Sequence, residues 1–370
     1  MAADFKGYFS RETESLLYLL GYEAQKESYK VYAAGSFVRD LLLGRESRIL
    51  DLLLEGDMAS YVLNLQRSIS GKIQYSKLLG SATVDIPGLF KIKLSTIKNE
   101  LYILSEKPAS LLASLKSELY GRDFTISTLA MELNPLNFCK LYDFFEGERD
   151  LTEGTIRVLY SLSFVNEPLR LLRALRLEQR YGFAINGDTI SLMHTAIAGK
   201  VLLHKVSRER IGRELRLIFA EPAPSRVLRR LQELGLWQQI FPRLAYKETI
   251  PLRLERLEQI SSSSQLADKS SFRYNNFIIS ICALFYGLSR HDVQFLSHIL
   301  RLKRKERQAV MELLETLMPL LESRTANKEE DENRLITLLE KQYAGKEGEK
   351  KHNAGLFISH SRPVDRYYFS

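Results

Sequence analysis

The chain has 370 residues, of which 45% are hydrophobic and 26% are charged, and its formal net charge is +8. These values exclude a fibrous or largely disordered chain, and the length suggests two or three domains. Two cysteines, Cys139 and Cys282, exclude a disulfide framework and a four-cysteine zinc site. Acidic and polar residues near the N-terminus argue against a signal peptide, and the apolar stretch Phe277–Leu288 is shorter than the roughly 20 residues that cross a bilayer. We therefore expect a soluble, cytoplasmic protein that does not contact membranes.

Strands and helices alternate along residues 1–150, which predicts a small α/β domain. A strand from Tyr29 ends at Gly35-Ser36, and the helix that follows is closed by Gly44. The run Ile49–Leu54 is typical of a buried strand. The other elements predicted in this region are helices at 11–22 and 58–68 and strands at 72–75 and 91–97, the last with Leu101–Leu104 as its expected partner.

From Val158 onward a 3.6-residue apolar period replaces the strand signals, which predicts an all-α second half. The fold class is therefore α+β, with an α/β head at 1–150, helical regions at 151–245 and 246–345, and a flexible tail at 346–370. The predicted helices are 169–181, 188–197, 207–219, 225–234, 252–260, 275–286, 290–300, 305–321 and 332–342.

Arginines concentrate in the middle of the chain. Residues 151–240 contain 14 basic and 8 acidic residues, and 12 of the basic ones are arginines. On the helix from Leu169, four arginines share an arc of about 120°, opposite a leucine face. Glu167 and Glu178 are the only acidic residues near enough in sequence to neutralise these arginines, and Glu178 points away from them. The pattern therefore favours an anionic ligand over a surface of salt bridges. The four arginines are Arg170, Arg173, Arg176 and Arg180.

The turn Gly35-Ser36 is the local pattern that most clearly indicates a binding function, namely contact with a phosphate. Because glycine has no side chain, backbone N–H groups and the Ser36 hydroxyl can approach a phosphate closely. Arg39, in the first turn of the next helix, adds positive charge. A Gly-Ser pair alone is a weak signal, since most such pairs are ordinary turns.

A series of motifs in chain order makes the pattern specific. The motifs are Gly35-Ser-Phe-Val-Arg-Asp-Leu-Leu-Leu-Gly44, Arg122-Asp-Phe-Thr-Ile126, Asp143-Phe-Phe-Glu-Gly-Glu-Arg-Asp-Leu151, Ser163-Phe-Val-Asn-Glu-Pro-Leu-Arg-Leu-Leu-Arg-Ala174 and Val206-Ser-Arg-Glu-Arg-Ile211. The series resembles the class II tRNA nucleotidyltransferases, which comprise CCA-adding enzymes, A-adding enzymes and bacterial poly(A) polymerases. The resemblance covers roughly residues 15–240.

The resemblance implies a polymerase-β-like nucleotidyltransferase head, followed by a helical neck, body and tail that hold RNA. It implies Mg²⁺-dependent transfer of AMP or CMP from ATP or CTP to an RNA 3′ hydroxyl, with release of pyrophosphate. The expected partner is RNA, in the first place a tRNA 3′ end, and not DNA.

The resemblance also implies site residues. The triphosphate would be held by Gly35, Ser36, Arg39 and Asp40; the sugar and phosphates by Arg122 and Asp123; and the base edge by Glu167 and Arg170, with Arg173 beside them. RNA contacts would come from Arg176, Arg180, Arg208, Arg210 and Arg304. Arg304 belongs to a basic cluster at 301–307, for which a solvated surface is the first interpretation and an RNA backbone contact the second.

The family reaction needs carboxylates that hold two Mg²⁺ ions. In the family, two aspartates lie one residue apart on a strand and a third lies on a later strand. Ungapped alignment places Asp51, the expected catalytic and metal residue, at the second position, with Ile49 at the first and Lys93 at the third. The nearby acids Glu46, Glu55 and Asp57 have the wrong parity or lie off the strand.

Isoleucine offers no oxygen ligand to Mg²⁺, and lysine is itself a cation. We therefore predict that Lys93 pairs with Asp51 across neighbouring strands and takes the place of the metal. The alternative is a Lys93 side chain that turns away to solvent. Three classes of function follow: the family enzyme, a non-catalytic RNA-binding relative, and a nucleotide-responsive interaction protein that keeps only the triphosphate turn.

Overall fold

The structure, a computed structural model, describes residues 9–97, 111–242, 244–262 and 272–316. The chain divides into two compact units, Met1–Ile218 with Arg226–Tyr246, and Phe219–Ser225 with Lys247–Ser370. The four-part division into head, neck, body and tail stays a prediction, and residues 332–342 and 346–370 lie outside the described ranges. Within those ranges, no helix is long and apolar enough to cross a membrane.

The first unit is built on a mixed seven-stranded sheet with strand order β3-β4-β5-β2-β1-β6-β7. Strands β2 and β5 run parallel, and the other neighbours in this sheet run antiparallel. Residues 155–156 and 184–185 form a separate small parallel sheet. The strands are β1 Lys30–Ala34, β2 Ile49–Glu55, β3 Lys72–Ser76, β4 Ser81–Ile86, β5 Phe90–Thr96, β6 Ala130–Glu132, β7 Leu141–Tyr142, β8 Thr155–Ile156 and β9 Ala184–Ile185.

The predicted partner of β5, residues 101–104, lies outside the described ranges. Within them, β5 pairs with β2 on one side and with β4 on the other. Strand β4 is missing from the sequence prediction, although its alternation of Ala82, Val84 and Ile86 with polar residues is a strand pattern.

Helices make up the rest of the first unit, and side-chain caps explain where several begin. The Ser10 hydroxyl accepts a hydrogen bond from the Thr13 N–H at 3.2 Å, and Asp57 accepts one from the Ser60 N–H at 2.7 Å. The helices are α1 Arg11–Lys26, α2 Ser36–Leu42, α3 Met58–Ser68, α4 Leu111–Tyr120, α5 Gly147–Thr152, α6 Ser163–Asn166, α7 Arg170–Tyr181, α8 Gly187–Ala198, α9 Val201–Lys205, α10 Arg208–Phe219, α11 Pro224–Glu233 and α12 Trp237–Ile240. The last residue of α10 and the first two of α11 belong to the second unit.

The second unit is helical in its described part, as the apolar period predicted. Its helices are α13 Thr249–Ser262, α14 Phe272–Phe285, α15 Arg290–Ile299 and α16 Arg304–Thr316. Among the described residues, strands lie between Lys30 and Ile185 and helices dominate the remainder, which confirms the α+β class. The short strand β9 corrects the expectation that the chain is all-α from Val158 onward.

Among the described residues, helix α4 covers one face of the head sheet at the β1 and β6 side. There, Leu53, Tyr32 and Ala130 pack in an apolar cluster with Leu115 and Leu119 of α4. On the same face, the β3, β4 and β5 side carries polar and charged side chains that are exposed or half-buried. The candidate site lies where the covered and open parts of this face meet.

Candidate functional site

Asp51 and Lys93 occupy directly opposed positions on the parallel strands β2 and β5. Side chains opposed in register point to the same face of a sheet. Lys93 Nζ lies 4.0 Å from Asp51 Oδ1, and the two side chains are 56% and 25% exposed. The predicted pairing is confirmed, and the alternative of a lysine turned away from Asp51 is wrong.

The residues around Asp51 do not fit a divalent metal site. Mg²⁺ requires oxygen ligands, usually more than one carboxylate when two ions are held. Ile49, two residues before Asp51 on the same face, is 43% exposed and offers none, while the third position carries an ammonium group. Among the described residues, no group of three or more His, Cys, Asp or Glu side chains could hold a metal ion.

Glu55 corrects one detail of the sequence analysis. It lies within β2, which ends one residue later than predicted. Because Glu55 is four positions from Asp51 on this strand, the two side chains point to the same face of the sheet. Its side chain is nevertheless about 13 Å along the strand, beyond the buried Leu53. Burial, the largest effect, and the charge of Glu132 raise the pKa of Glu55, while Lys30 lowers it. Glu55 therefore does not restore the missing carboxylate.

The Gly35-Ser36 turn lies beside Asp51, because Ala34 is the register partner of Asp51 on β1. Gly35 has φ 70°, a conformation that favours glycine, and its N–H donates to the Leu129 carbonyl at 3.0 Å. A Cβ at Gly35 would lie 3.1 Å from Arg122 Nη1. The half-buried Arg122 forms no ion pair or hydrogen bond with a described residue through its side chain, so its guanidinium adds a positive charge at this turn that no described residue neutralises.

Arg39 and Asp40 have a different environment from the one expected for triphosphate ligands. Both are buried, and Arg39 Nε and Nη2 each donate to Asp40 Oδ1 at 3.0 Å. The Tyr181 hydroxyl donates to Asp40 at 2.7 Å and accepts from Arg39 Nη2 at 2.6 Å. Burial, the largest effect, and the charge of Asp40 raise the pKa of Tyr181 to about 12. This network ties α2 to α7, and direct contact of Arg39 or Asp40 with a ligand stays a prediction.

The expectation that the α7 arginines lack acidic partners was wrong. Asp123 accepts hydrogen bonds from Arg170 Nε at 2.9 Å and from Arg173 Nη1 at 2.9 Å. Glu214 of α10 accepts from Arg173 Nε at 3.3 Å and from Arg176 Nε at 3.2 Å. Asp123 and Glu214 lie 38 to 50 positions from these arginines, so inspection of the neighbouring sequence could not find them.

Arg170 is largely satisfied inside the protein. It is 5% exposed, and besides Asp123 it donates to the Tyr160 and Ser163 hydroxyls and to the Gly121 carbonyl. Burial lowers the pKa of Arg173, but Asp123 and Glu214 outweigh burial and raise it. The four-arginine face is thus in large part a structural ion-pair network.

The other predicted contact residues divide between structural and exposed positions. Glu167 Oε2 accepts from Arg210 Nη2 at 2.7 Å, whereas its Oε1 is buried without a hydrogen bond to a described residue. Arg208 Nη1 donates to the Gln239 carbonyl at 2.9 Å. The ring of Tyr181 lies 5.6 Å from the Arg180 guanidinium. Arg304, in the second unit, is exposed at the start of α16.

Two family models match the chain. Residues 31–157 match the poly A polymerase head domain, and residues 182–248 match a probable RNA- and SrmB-binding site of polymerase A. The chain belongs to the class II tRNA nucleotidyltransferase and poly(A) polymerase family. The first match contains the Asp51–Lys93 pair and the Gly35 turn, and the second contains α10 with Glu214.

Relatives in this family include A-adding tRNA nucleotidyltransferases. That of Geobacter sulfurreducens is 37% identical over 257 residues, which cover 68% of this chain and 28% of the relative. That of Halalkalibacterium halodurans is 32% identical over 68% of this chain and 59% of the relative. The chain thus spans less than two thirds of the length of these family members, 28% of one and 59% of the other.

Solved structures of the family share the fold. A CCA-adding enzyme in complex with CTP has a TM-score of 0.69 and 26% identity, covering 91% of this chain and 84% of that one. The Thermotoga maritima CCA-adding enzyme complexed with tRNA has a TM-score of 0.68 and 26% identity, covering 90% and 83%. These similarities agree with the polymerase-β-like head and helical C-terminal part implied by the family motifs.

Proposed function

We propose that this chain binds the 3′ region of tRNA and does not itself catalyse efficient nucleotide transfer. The observation that carries the proposal is the ammonium group of Lys93, 4.0 Å from Asp51, at a position where the family reaction needs a carboxylate. Ile49 removes a second metal ligand. Two-metal catalysis needs carboxylates that hold both ions, so Asp51 alone is a poor catalytic site.

Binding of RNA is supported by family membership and by surface charge. Relatives act on tRNA according to their names, and one solved relative is complexed with tRNA. In the second unit, the cluster at 301–307 exposes Arg301, Lys303, Arg304, Lys305 and Arg307. Cationic side chains on a surface favour contact with an RNA backbone. Because Arg170, Arg173 and Arg176 are engaged inside the protein, we assign the RNA contacts to exposed residues such as Arg304 rather than to the α7 face.

Binding of ATP or CTP is a separate part of the proposal. It is supported by the Gly35-Ser36 turn with Arg122 beside it, and by a relative solved with CTP. The competing function is an active A-adding or CCA-adding enzyme, which the 37% identity to an A-adding relative favours. The two functions differ in whether a nucleotide becomes covalently attached to RNA.

Incubation with tRNA lacking its 3′ terminal nucleotides, labelled ATP or CTP, and Mg²⁺ separates the two functions. We expect tRNA binding in a gel-shift or anisotropy assay, with no incorporation above a reaction without protein. A CCA-adding relative assayed on the same tRNA with the same nucleotides serves as the positive control. Robust incorporation that disappears in Asp51→Ala would show that this copy is an active enzyme.

The salt dependence of binding tests the third class, a nucleotide-responsive interaction protein without RNA affinity. If RNA phosphates are contacted, log Kd should change linearly with log salt concentration. Arg304→Ala should reduce that slope, whereas Arg67→Ala, which removes an exposed arginine of α3, should leave it unchanged. Absence of tRNA binding at low salt would leave the third class as the explanation.

A further inference from the structure

Three lysines share the open part of the head sheet face with Asp51. The register of β3, β4, β5 and β2 places Lys72, Asp85, Lys91 and Ile49 side by side in one row. Two residues further along, Thr83, Lys93 and Asp51 form the next row. All three lysines are exposed. The surface formed by Lys72, Lys91 and Lys93 is called the lysine face.

Charge on this face differs in sign from that of a three-carboxylate site. With carboxylates at positions 49 and 93, the two rows would hold four carboxylates against two lysines, which would repel a polyanion unless divalent cations intervened. The chain instead presents Lys72, Lys91 and Lys93 against Asp51 and Asp85. An anionic ligand therefore meets a face that needs no metal ion to offset repulsion.

The lysines are available to a ligand. Neither Lys72 nor Lys91 forms an ion pair with a described residue, and Lys93 is 56% exposed at the outer limit of ion-pair distance from Asp51. Lys91 and Lys93 are about 6.6 Å apart along the strand, and Lys72 lies about 10 Å from Lys91 across two strand spacings. This spread suits successive phosphates of an extended strand better than one compact triphosphate.

The second row leads from Lys93 through Asp51 to Ala34, next to the Gly35 turn. Arg122 lies against that turn and makes no side-chain ion pair or hydrogen bond with a described residue. Ile49, two residues before Asp51 on β2, exposes apolar surface beside Lys91, where a ribose or base can pack. Cationic side chains thus lie at both ends of this row, and the aliphatic Ile49 lies in the neighbouring row.

From this arrangement we infer that the lysine face, together with Arg122, binds the phosphates of a single-stranded RNA end without a divalent cation. The inference deepens the proposed function and rests on it, since it names the chemistry by which the head holds RNA. Lys93 has two roles in this account, because it offsets Asp51 and contacts a phosphate.

Fluorescence anisotropy with a labelled single-stranded RNA oligonucleotide tests the inference, because the conformation of such a probe needs no Mg²⁺. We expect the full chain to bind it with the same Kd in excess EDTA and in Mg²⁺. Lys91→Ala should weaken binding and lower the salt slope by about 0.7, the value for one single-strand phosphate contact. A wild-type protein that requires Mg²⁺ to bind the probe would overturn the inference.

The double variant Ile49→Asp/Lys93→Asp restores three carboxylates and makes the sharper test. We expect at least a tenfold loss of affinity in EDTA, with recovery in Mg²⁺. Leu63→Asp/Arg67→Asp changes the net charge equally at exposed positions of α3 and should do neither. If both double variants lose affinity equally, net charge rather than the lysine face explains binding, and the inference is wrong.

Two other outcomes are decisive. Displacement of the probe by equimolar ATP in EDTA would assign the lysines to a triphosphate instead of an RNA strand and overturn the inference. Failure of the proposed function has a different signature, namely incorporation of nucleotide or absence of tRNA binding in every buffer. Binding that is present but depends on Mg²⁺ contradicts only the inference drawn from the lysine face.

Discussion

Two charged regions of the first unit, the lysine face and the α7 arginine network, use similar residue types for different purposes. On the lysine face, Lys93 is 56% exposed and its contact with Asp51 is long, at 4.0 Å. In the arginine network, Arg170 is 5% exposed and its bond to Asp123 is 2.9 Å. The exposed lysines remain able to bind a ligand, whereas the buried arginine is already satisfied.

The difference teaches that the number of basic residues in a segment does not locate a binding surface. The α7 arginines are a dense positive feature of the sequence, yet Asp123 and Glu214 neutralise much of their charge. The lysine face is sparse in sequence, since its members come from β3 and β5. Burial and pairing, rather than density, separate a structural charge from a functional one.

The largest expected effect is in the arginine network. Asp123→Ala removes the acidic partner of the buried Arg170 and one partner of Arg173, leaving buried positive charge uncompensated. We expect a loss of about 3–5 kcal/mol in the free energy of unfolding, measured by urea denaturation. Asp123→Asn should cost less, because the amide oxygen still accepts a hydrogen bond.

A matched control is the exposed ion pair between Arg149 and Glu153, whose Nε–Oε1 distance is also 2.9 Å. Glu153→Ala should leave the urea midpoint unchanged, because solvent screens this pair. Equal effects of Asp123→Ala and Glu153→Ala would contradict the distinction between buried network and exposed surface.

The two regions differ in how many of their side-chain contacts the sequence alone could predict. The Asp51–Lys93 contact was predictable through the family resemblance, because alignment places the two residues at positions whose carboxylates share one metal site in the family. The two-residue period alone does not fix which strands are neighbours. The Arg170–Asp123 pair was not predictable, because 47 residues separate the partners and their contact depends on how the segment before Thr125 packs against α7. The role of Tyr181 was not predictable from the sequence, because its hydrogen bonds to Arg39 and Asp40 form only when α2 and α7 are adjacent.

The secondary structure was likewise predictable in some parts of the chain and not in others. Periodicity located most of the described helices of the second half and four of the seven strands of the head sheet, namely β1, β2, β3 and β5. It missed β4, β6 and β7, and it gave no sign that β4 pairs with β5, because strand pairing is a tertiary property that alternation does not encode. Glu55 was an error of a simpler kind, as the strand extends one residue further than its apolar run.

A smaller effect is expected at the junction of α2 and α7. Tyr181→Phe removes the hydroxyl that bonds both Asp40 and Arg39, and should lower the free energy of unfolding by about 1–2 kcal/mol. Tyr75→Phe, at an exposed tyrosine, is the control and should have no effect. Because the pKa of Tyr181 is raised from 10.0 to about 12, its contribution should persist up to about pH 10 and be lost as the pH rises through about 12.

Glu55→Gln should raise stability slightly. Glu55 Oε2 is buried without a hydrogen bond to a described residue, and burial chiefly raises the pKa of this carboxyl above 4.5. A raised pKa means that the favourable contribution of Glu55 is complete below pH 4.5 and is lost as the pH rises. The variant should therefore unfold at a higher temperature than wild type at neutral pH, by less than about 1 kcal/mol in free energy, and at the same temperature in acid. Glu46→Gln, at an exposed position, should show no such pH-dependent gain.

The smallest effect on stability is expected at Lys93. Because the side chain is more than half exposed, Lys93→Ala should change the free energy of unfolding by less than about 0.5 kcal/mol. The same variant should weaken binding of single-stranded RNA in EDTA, because it removes a cation from the lysine face. On the lysine face, loss of one lysine should reduce RNA affinity and leave the free energy of unfolding nearly unchanged. In the α7 network, loss of one partner should reduce the free energy of unfolding. Urea denaturation and RNA-binding anisotropy, measured on the same preparation of Lys93→Ala, test this prediction. A large loss of stability with unchanged RNA affinity would show that Lys93 is a structural charge.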